Sequence, residues 1–164
     1  MQYVSKKARF SFCYRYRYSL ERSWDGGKGR VLFIGLNPST ADHKRDDPTI
    51  RRCVGFAKSW GYQSMEIVNL FAFRSTCPKG LKAVSDPVGK QNDRWIRSAE
   101  KRSDLTIACW GSINMGRGRA AKLIKKLKYP YCLKINQTLE PAHPLYMRAD
   151  LKPTPYIVSR NSGR

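Results

Sequence analysis

The feature that most constrains the fold is a buried strand that ends at an Asn-Pro pair. The apolar run at residues 31–34 leads without a gap into Gly35-Leu36-Asn37-Pro38. A short run of β-branched and aromatic residues ending in glycine predicts a buried strand, and Pro38 cannot extend the hydrogen-bond ladder of that strand. Asn37 is therefore expected at the carboxyl end of a central strand, where open α/β sheets bind their ligands.

Three later segments repeat the pattern of an apolar run followed by polar residues, at 65–73, 105–110 and 131–135. Helical patterns lie between them, and this alternation predicts a parallel sheet with helices on both faces. Residues 8–20 alternate with a period of two, which predicts an additional extended segment. We therefore expect a three-layer α/β/α fold. Its short central sheet is mainly parallel and four-stranded, and an N-terminal antiparallel strand or hairpin lies beside it.

Helix signals separate these strands. Asp47 is predicted to cap a helix whose first residue is Pro48 and which ends at Gly61. The segment Asp86-Pro87-Val88-Gly89 is predicted to open a second helix, and a third is expected over about 119–128.

Length and composition bound the remaining possibilities. A chain of 164 residues is expected to form one domain, with residues 150–164 as a loosely ordered basic tail. Five scattered cysteines without CxxC spacing predict neither a zinc site nor a disulfide framework, and two histidines do not suggest a histidine-rich metal site. We expect no metal and no cofactor. No apolar run reaches the length of a membrane span, and no apolar block follows the first basic residues. We expect a cytoplasmic monomer.

The net positive charge of the chain indicates a negatively charged partner. Thirty-two Lys and Arg residues face twelve Asp and Glu residues, which gives a formal net charge of +20 spread along the whole chain. Such an excess costs self-repulsion unless a polyanion is near, and Lys and Arg contacts to phosphates dominate nucleic-acid affinity. The charge therefore predicts nucleic acid as the partner. The alternative is a basic protein without such a partner.

Residues 8–20 have two interpretations. Phe10, Phe12, Tyr14, Tyr16 and Tyr18 share one side of the predicted strand. We favour an edge strand or hairpin that packs on the main sheet, because five aromatic residues on one side are typical of a core. The alternative is an aromatic and arginine platform for bases and phosphates.

Four polar side chains follow successive strands or lie close behind them: Asn37, Asn69, Ser112 and His143. Because the carboxyl ends of parallel strands meet at one edge of a sheet, we expect these side chains to converge. No nucleophile motif accompanies them. The set suits recognition of a base edge and positioning of a water molecule, although Asn37 could be only a turn residue and His143 only a structural histidine between two prolines.

Several segments resemble a known family. The residues at 34–42, 47–52, 68–72 and 86–89 are similar to a bacterial and phage family catalogued as domain of unknown function 1643. The resemblance covers most of residues 10–147. It implies little about function.

A more distant resemblance implies more. The order of four motifs resembles that of the uracil-DNA glycosylase superfamily. These motifs are Gly-x-Asn-Pro after the first strand, a strand that ends in Asn-Leu, a strand that ends in Ala-x-x-Gly, and a late His-Pro. That resemblance implies a three-layer fold, in which Asn37 positions the attacking water and Asn69 contacts the flipped base. His143 would lie near the leaving base. Leu145, which stands where the superfamily motif has serine, would be the apolar wedge in the DNA stack.

The resemblance implies the catalytic and base-binding residues of the site. The catalytic pair is Asn37 and His143, and the base contacts are Asn69, Leu36, Pro38, Ser39 and Phe71. Apart from the resemblance, we expect four arginines to contact DNA beside the site because each follows a strand-end motif in the sequence: Arg74, Arg117, Arg119 and Arg148. The other expected DNA contacts are Ser112, Leu145 and Tyr146. No metal or cofactor is implied.

The function expected from these residues is excision of a damaged or modified base from double-stranded DNA, with that base flipped out of the stack. A carboxamide is a poor general base, so Asn37 favours a dissociative, oxocarbenium-like route. The alternatives are a non-catalytic nucleic-acid-binding module on the same fold and an enzyme that acts on free nucleotides.

Overall fold

Seven strands form one mixed sheet in the computed structural model, which describes residues 2–113 and 116–157. The order across the sheet is β1-β2-β4-β3-β5-β6-β7. The strands are β1 (Ser5–Phe10), β2 (Arg17–Ser23), β3 (Arg30–Gly35), β4 (Ser64–Asn69), β5 (Leu105–Ala108), β6 (Pro130–Cys132) and β7 (Thr154–Pro155).

The chain is an α/β protein, as expected, but the prediction of a four-stranded sheet is wrong. Strands β4, β3, β5 and β6 are parallel, whereas β1, β2 and β7 extend the sheet at its two sides with antiparallel pairing. The register places Gly35 opposite Asn69 and Ile34 opposite Ala108. The carboxyl ends of β3, β4 and β5 are therefore nearly level.

Three α-helices cover the sheet: α1 (Pro48–Ser59), α2 (Asn92–Lys101) and α3 (Arg117–Ile124). Short 3-10 helices lie at Pro78–Ala83 and Pro144–Tyr146. The predicted cap of α1 is confirmed, because Oδ1 of Asp47 accepts a 2.8 Å hydrogen bond from the backbone N–H of Ile50. Helix α2 begins later than predicted because Asp86 accepts a hydrogen bond from the Gly89 N–H, and Gly89 turns the chain at φ +89°.

The core lies on both faces of the sheet because successive strand residues point in opposite directions. In β3, Val31 and Phe33 pack on the face of α1, and Leu32 and Ile34 pack on the face of α2 and α3. The strands of the parallel centre are thus apolar on both faces. A cavity at the carboxyl ends of these strands can therefore open on either face of the sheet.

Two buried charges tie the N-terminal hairpin to the rest of the sheet. Arg22 in β2 is fully buried, and its Nε donates a 2.8 Å hydrogen bond to Asp46. Glu66 in β4 is also fully buried and accepts hydrogen bonds from Ser19, Arg102 and Arg30. Satisfied buried charges of this kind favour one arrangement of the strands.

The N-terminal segment is a hairpin, and its aromatic residues do not all enter the core. Residues 11–16 form the turn between β1 and β2, with Tyr14 at φ 60°. Phe12 is fully exposed at the tip of the turn and Tyr14 is 64% exposed, whereas Tyr18 is buried. The expected N-terminal hairpin is confirmed, but the expectation that its five aromatic residues share one apolar side is wrong because the turn interrupts the alternation.

The predicted loose tail is wrong for residues 150–157. Strand β7 pairs with β6, and the buried ring of Tyr156 packs edge-on against Trp110, with ring centroids 6.0 Å apart. The hydroxyl of Tyr156 donates a 3.0 Å hydrogen bond to the carbonyl of Leu139. Residues 158–164 of the predicted tail lie outside the described residues. No helix in the described part of the chain is long and apolar enough to cross a membrane.

Candidate functional site

A cavity of about 220 Å³ lies at the carboxyl ends of β3, β4 and β5, on the face of the sheet that α1 covers. Five of the predicted site residues line it: Leu36, Asn37, Ser39, Asn69 and His143. Pockets for drug-sized ligands start at about 300 Å³, so this cavity suits a smaller group, on the scale of a single heterocyclic base.

The side-chain amide of Asn37 is held in one orientation. Its Nδ2 donates hydrogen bonds to the carbonyl oxygens of Pro38, at 3.0 Å, and Ser75, at 2.8 Å. Only the NH2 end of an amide can face two carbonyl oxygens, so Oδ1 is left as an acceptor for the cavity. Asn37 can therefore accept a hydrogen bond from a water or from an amino group.

Asn69 lies beside Asn37 at the end of β4 and is almost completely buried. Its Oδ1 lies above Gly35, only 2.7 Å from the position that a Cβ there would take, so any side chain at residue 35 would collide with it. Its Nδ2 is buried without a hydrogen-bond partner among the described residues. A buried donor without a partner costs free energy, which an acceptor on a ligand would recover.

His143 lines the same cavity and is the N-terminal cap of the second 3-10 helix. Its Nδ1 accepts a 3.2 Å hydrogen bond from the backbone N–H of Leu145. Burial lowers the pKa of His143 from its ordinary value of 6.5, although the negative charge of Asp47 opposes this. The imidazole is therefore neutral at pH 7, and because Nδ1 is an acceptor, the proton is on Nε2. His143 can donate from Nε2.

Two charged residues of the cavity were not predicted from the sequence, Arg17 and Asp47. Arg17 is 2% exposed, and its Nη1 donates a 2.9 Å hydrogen bond to the carbonyl of Ala41. Burial lowers the pKa of Arg17 to about 10, so the guanidinium remains charged at pH 7. Asp47 was predicted only as a helix cap. Nothing in the Asp-Pro-Thr sequence indicates that Asp47 also lines the cavity.

A family comparison bears on this region. The model of a family described as protein of unknown function (DUF1643) matches residues 17–145. The chain belongs to that family. The matched region of the DUF1643 family begins at Arg17 and contains Asn37, Asn69 and His143, so it spans the whole cavity. No curated protein and no solved structure matches the chain.

Two predicted base contacts of this DUF1643 chain lie outside the cavity lining. Pro38 is buried, and its carbonyl accepts hydrogen bonds from the Asn37 side chain and the Ser75 N–H. Phe71 is buried in the core on the side of α2 and α3, where its ring lies under Gly116. Pro38 therefore supports Asn37 from behind, and Phe71 supports the start of α3.

Arg119 is not brought to the cavity. Its Nε donates a 2.9 Å hydrogen bond to the Leu70 carbonyl and its Nη2 pairs with Asp93 at 2.5 Å. It lines a separate groove between α2 and α3, on the face of the sheet opposite α1. The expectation that Arg119 flanks Asn37 and His143 is wrong, because nearness to a strand end in sequence does not fix the face of the sheet.

The other predicted DNA contacts are spread along the carboxyl edge of the sheet. Exposed Arg117 lies 3.7 Å from Glu140, and exposed Arg148 pairs with Asp150 at 2.5 Å. Ser112 is exposed and bonds to Thr138 at 2.9 Å.

The residues after His143 differ in exposure. Leu145, the predicted wedge, is half-buried, whereas its neighbour Tyr146 is 85% exposed. Of the two, only Tyr146 offers a large free apolar surface next to the cavity.

The hairpin turn adds an aromatic surface at the same edge. Arg74 joins the two, because its Nη1 donates to the Tyr14 carbonyl and the next residue, Ser75, holds Asn37. The guanidinium of Arg74 also lies over the Phe10 ring, 4.9 Å from its centroid. Phe12 projects beyond this pair into solvent.

Proposed function

We propose that the protein binds double-stranded DNA and removes a damaged or modified base by hydrolysing its N-glycosidic bond. One observation carries the proposal: an acceptor fixed on Asn37 and a donor fixed on His143 line a single cavity large enough for a base. Excision needs these two functions, since a water must be held near the sugar and the departing base must be stabilised.

The reaction can be assigned to named atoms. Oδ1 of Asn37 accepts a hydrogen bond from a water and orients it toward C1′ of the flipped nucleotide. The bond from C1′ to the base nitrogen breaks, and its electron pair leaves with the base. Nε2–H of His143 donates a hydrogen bond to an oxygen of that anionic base. The water oxygen then bonds to C1′, and its proton passes to the solvent.

The route is dissociative because Asn37 cannot take a proton at neutral pH. The sugar therefore develops positive charge before the water bonds. Nδ2 of Asn69, which is buried without a hydrogen-bond partner in the described part of the chain, would donate to an acceptor on the base and hold the base in register. Bases with easily expelled anions are the expected substrates.

A uracil-DNA glycosylase-like, three-layer fold is part of this proposal. It is supported by the adjacent parallel strands β4, β3, β5 and β6, by helices on both faces, and by the one cavity that Asn37 lines together with His143 and Pro144.

The choice of DNA as the partner rests on charge and on exposed aromatic rings. The net charge of +20 favours contact with phosphates. Phe12 and Tyr146 expose their rings at the edge that carries the cavity, where one of them could fill the gap left by a flipped base.

The test is a panel of duplexes that carry uracil, thymine opposite guanine, hypoxanthine, hydroxymethyluracil or glycosylated cytosine. Each duplex is incubated with the protein and then cleaved with alkali. We expect scission of at least one substrate, strongly reduced in Asn37→Ala and His143→Ala. Gln63→Ala, an exposed amide at the opposite end of β4, serves as the matched control. No scission above Asn37→Ala on any substrate would overturn the proposal.

A second candidate, an enzyme that acts on free nucleotides, is favoured by one observation. A charged arginine is buried in the wall of a small cavity, and such a group suits the phosphate of a nucleotide. This candidate predicts turnover of nucleoside monophosphates without any requirement for duplex DNA.

A further inference from the structure

Two arginines of β2 are equally buried but differ in their partners. Arg22 is bonded to the Asp46 carboxylate at 2.8 Å and also to backbone carbonyls. The guanidinium of Arg17 has one hydrogen bond among the described residues, to the Ala41 carbonyl, and its Nε is buried there without a partner. Within the described ranges, no carboxylate oxygen lies within 4.0 Å of the Arg17 guanidinium nitrogens. Among the residues that the structure describes, Arg17 is thus a buried charge without a directly bonded counter-ion.

Buried charges in folded proteins are paired with an opposite charge or bind a ligand. Asp47 is the carboxylate that shares the cavity with Arg17, but its Oδ1 accepts the N–H of Ile50 at the start of α1. Its charge is therefore partly balanced by the helix N-terminus. Burial lowers the pKa of Arg17 and the negative charges of Asp47 and Asp42 partly offset this, but within the described ranges neither carboxylate is bonded to the guanidinium.

Other residues of the cavity also carry unsatisfied donors. Nδ2 of Asn69 and Nε1 of Trp110 are buried and lack hydrogen-bond partners among the described residues, and both residues line the cavity with Arg17. The Asn69 amide and the charged Arg17 thus line the same small space, whereas the ring of Trp110 packs with Tyr156 on the other face of the sheet. A ligand rich in acceptor oxygens would satisfy the amide and the guanidinium together.

We propose that the cavity binds an anionic oxygen group of its ligand, a carboxylate or a phosphate, against the guanidinium of Arg17. This inference deepens the proposed function and rests on it for the rest of the ligand. In a flipped nucleotide, the anion is an acidic substituent on the base. In a free nucleotide, it is the phosphate. Arginine suits both because its planar fork can donate two parallel hydrogen bonds to either group.

Calorimetric titration with small probes distinguishes the two sources. The first pair is 5-carboxyuracil and thymine, and the second is thymidine 5′-monophosphate and thymidine. We expect the wild-type protein to bind the anionic member of one pair at least about tenfold more tightly than the neutral member, since one well-made charge-assisted contact is worth that much. Preference in the first pair identifies an acidic base, and preference in the second identifies a nucleotide phosphate. Equal affinities in both pairs would overturn the proposal.

Variants separate the cavity from the general positive charge of the protein. Arg17→Gln should abolish the preference, and Arg17→Lys should keep part of it. Arg119→Gln, which removes a partly buried arginine outside the cavity, should leave the preference unchanged. A preference that survives in Arg17→Gln would mean that anions bind elsewhere on the basic surface, and it would overturn the proposal.

A variant that is expected to strengthen anion binding keeps the test decisive if Arg17→Gln does not fold. Asp47→Asn retains a side chain that can cap α1 but removes the negative charge from the cavity. The anionic probe should then bind several-fold more tightly, and the neutral probe should bind as before. No change for the anionic probe contradicts the proposal. These measurements need no turnover, so a failed excision panel and a failed anion preference are separate results.

Discussion

The side-chain amide of Asn37 donates a 2.8 Å hydrogen bond to the carbonyl oxygen of Ser75. This bond joins the end of β3 to the loop that follows β4, and a second bond to Pro38 completes the restraint. Oδ1 is thereby directed away from both carbonyls. The acceptor on which the proposed chemistry depends is positioned by the backbone of two separate segments.

Replacing Asn37 by aspartate should expose this arrangement. A carboxylate cannot donate, so Asn37→Asp removes the hydrogen bonds to the carbonyl oxygens of Pro38 and Ser75 and places a negative charge against both. We expect the free energy of unfolding at pH 7 to fall by about 1 to 3 kcal/mol. Urea denaturation measures it. Part of the loss should return at pH 4, where a protonated carboxyl can donate once. Unchanged stability at pH 7 would show that the two bonds do not hold residue 37.

Glu66 provides a stability test away from the cavity. It is fully buried and accepts from Arg102 at 2.5 Å and from Ser19 at 2.6 Å. Glu66→Gln keeps the volume but removes the charge that these donors surround, so we expect a loss of about 3 kcal/mol in guanidinium denaturation. Glu21→Gln, on the neighbouring strand and partly exposed, should cost less than about 1 kcal/mol. Equal losses would argue against the role of burial.

The central strands could be predicted from the sequence because each is a compact apolar run bounded by polar or turn residues. The bounds of the outer strands could not be predicted in the same way. The turn at 11–16 falls inside an unbroken alternation, and β7 has only two residues. Both depend on tertiary contacts, such as the packing of Tyr156 on Trp110, which no local pattern reveals.

The same limit applies to the cavity. Asn37 and Asn69 follow strands directly, so the parallel sheet brings their side chains together, and the cavity lining agrees with that expectation. Arg17 carries no local signal, because neighbouring Arg15 has the same alternation and is exposed. Its burial depends on the loop after β3, whose residue Ala41 accepts its hydrogen bond.

The lowered pKa of His143 predicts a pH-dependent stability. The unfolded chain takes up a proton near pH 6.5, whereas the folded protein does so only at lower pH. The free energy of unfolding should therefore fall as the pH drops through 6.5, and this loss is complete below the folded pKa. Denaturation at pH 7.5 and 5.5 should show that His143→Gln loses less stability than the wild type. His43→Gln, which alters an exposed histidine, should behave like the wild type.

The exposed ring of Phe12 should contribute to DNA binding through contact with bases. It lies at the turn between β1 and β2, at the edge of the sheet that carries the cavity, and Tyr129 is a comparably exposed ring beside the start of β6, at the opposite edge. Stacking of a base on an aromatic side chain is worth about 1 to 3 kcal/mol. Phe12→Ala should therefore weaken binding to a duplex with one unpaired base by about fivefold or more, whereas Tyr129→Ala should not.

The salt dependence of the affinity for DNA distinguishes the contribution of stacking from that of charge. Phe12→Ala removes no charge, so the slope of log affinity against log salt concentration should stay at its wild-type value. Arg15→Ala removes an exposed guanidinium from the same turn and should flatten the slope by about one unit, since one fewer counter-ion is released. Fluorescence anisotropy over a salt series measures both quantities. If Phe12→Ala and Tyr129→Ala reduce the affinity equally, the hairpin turn is not the DNA-facing edge, and the bound strand must lie on another part of the basic surface.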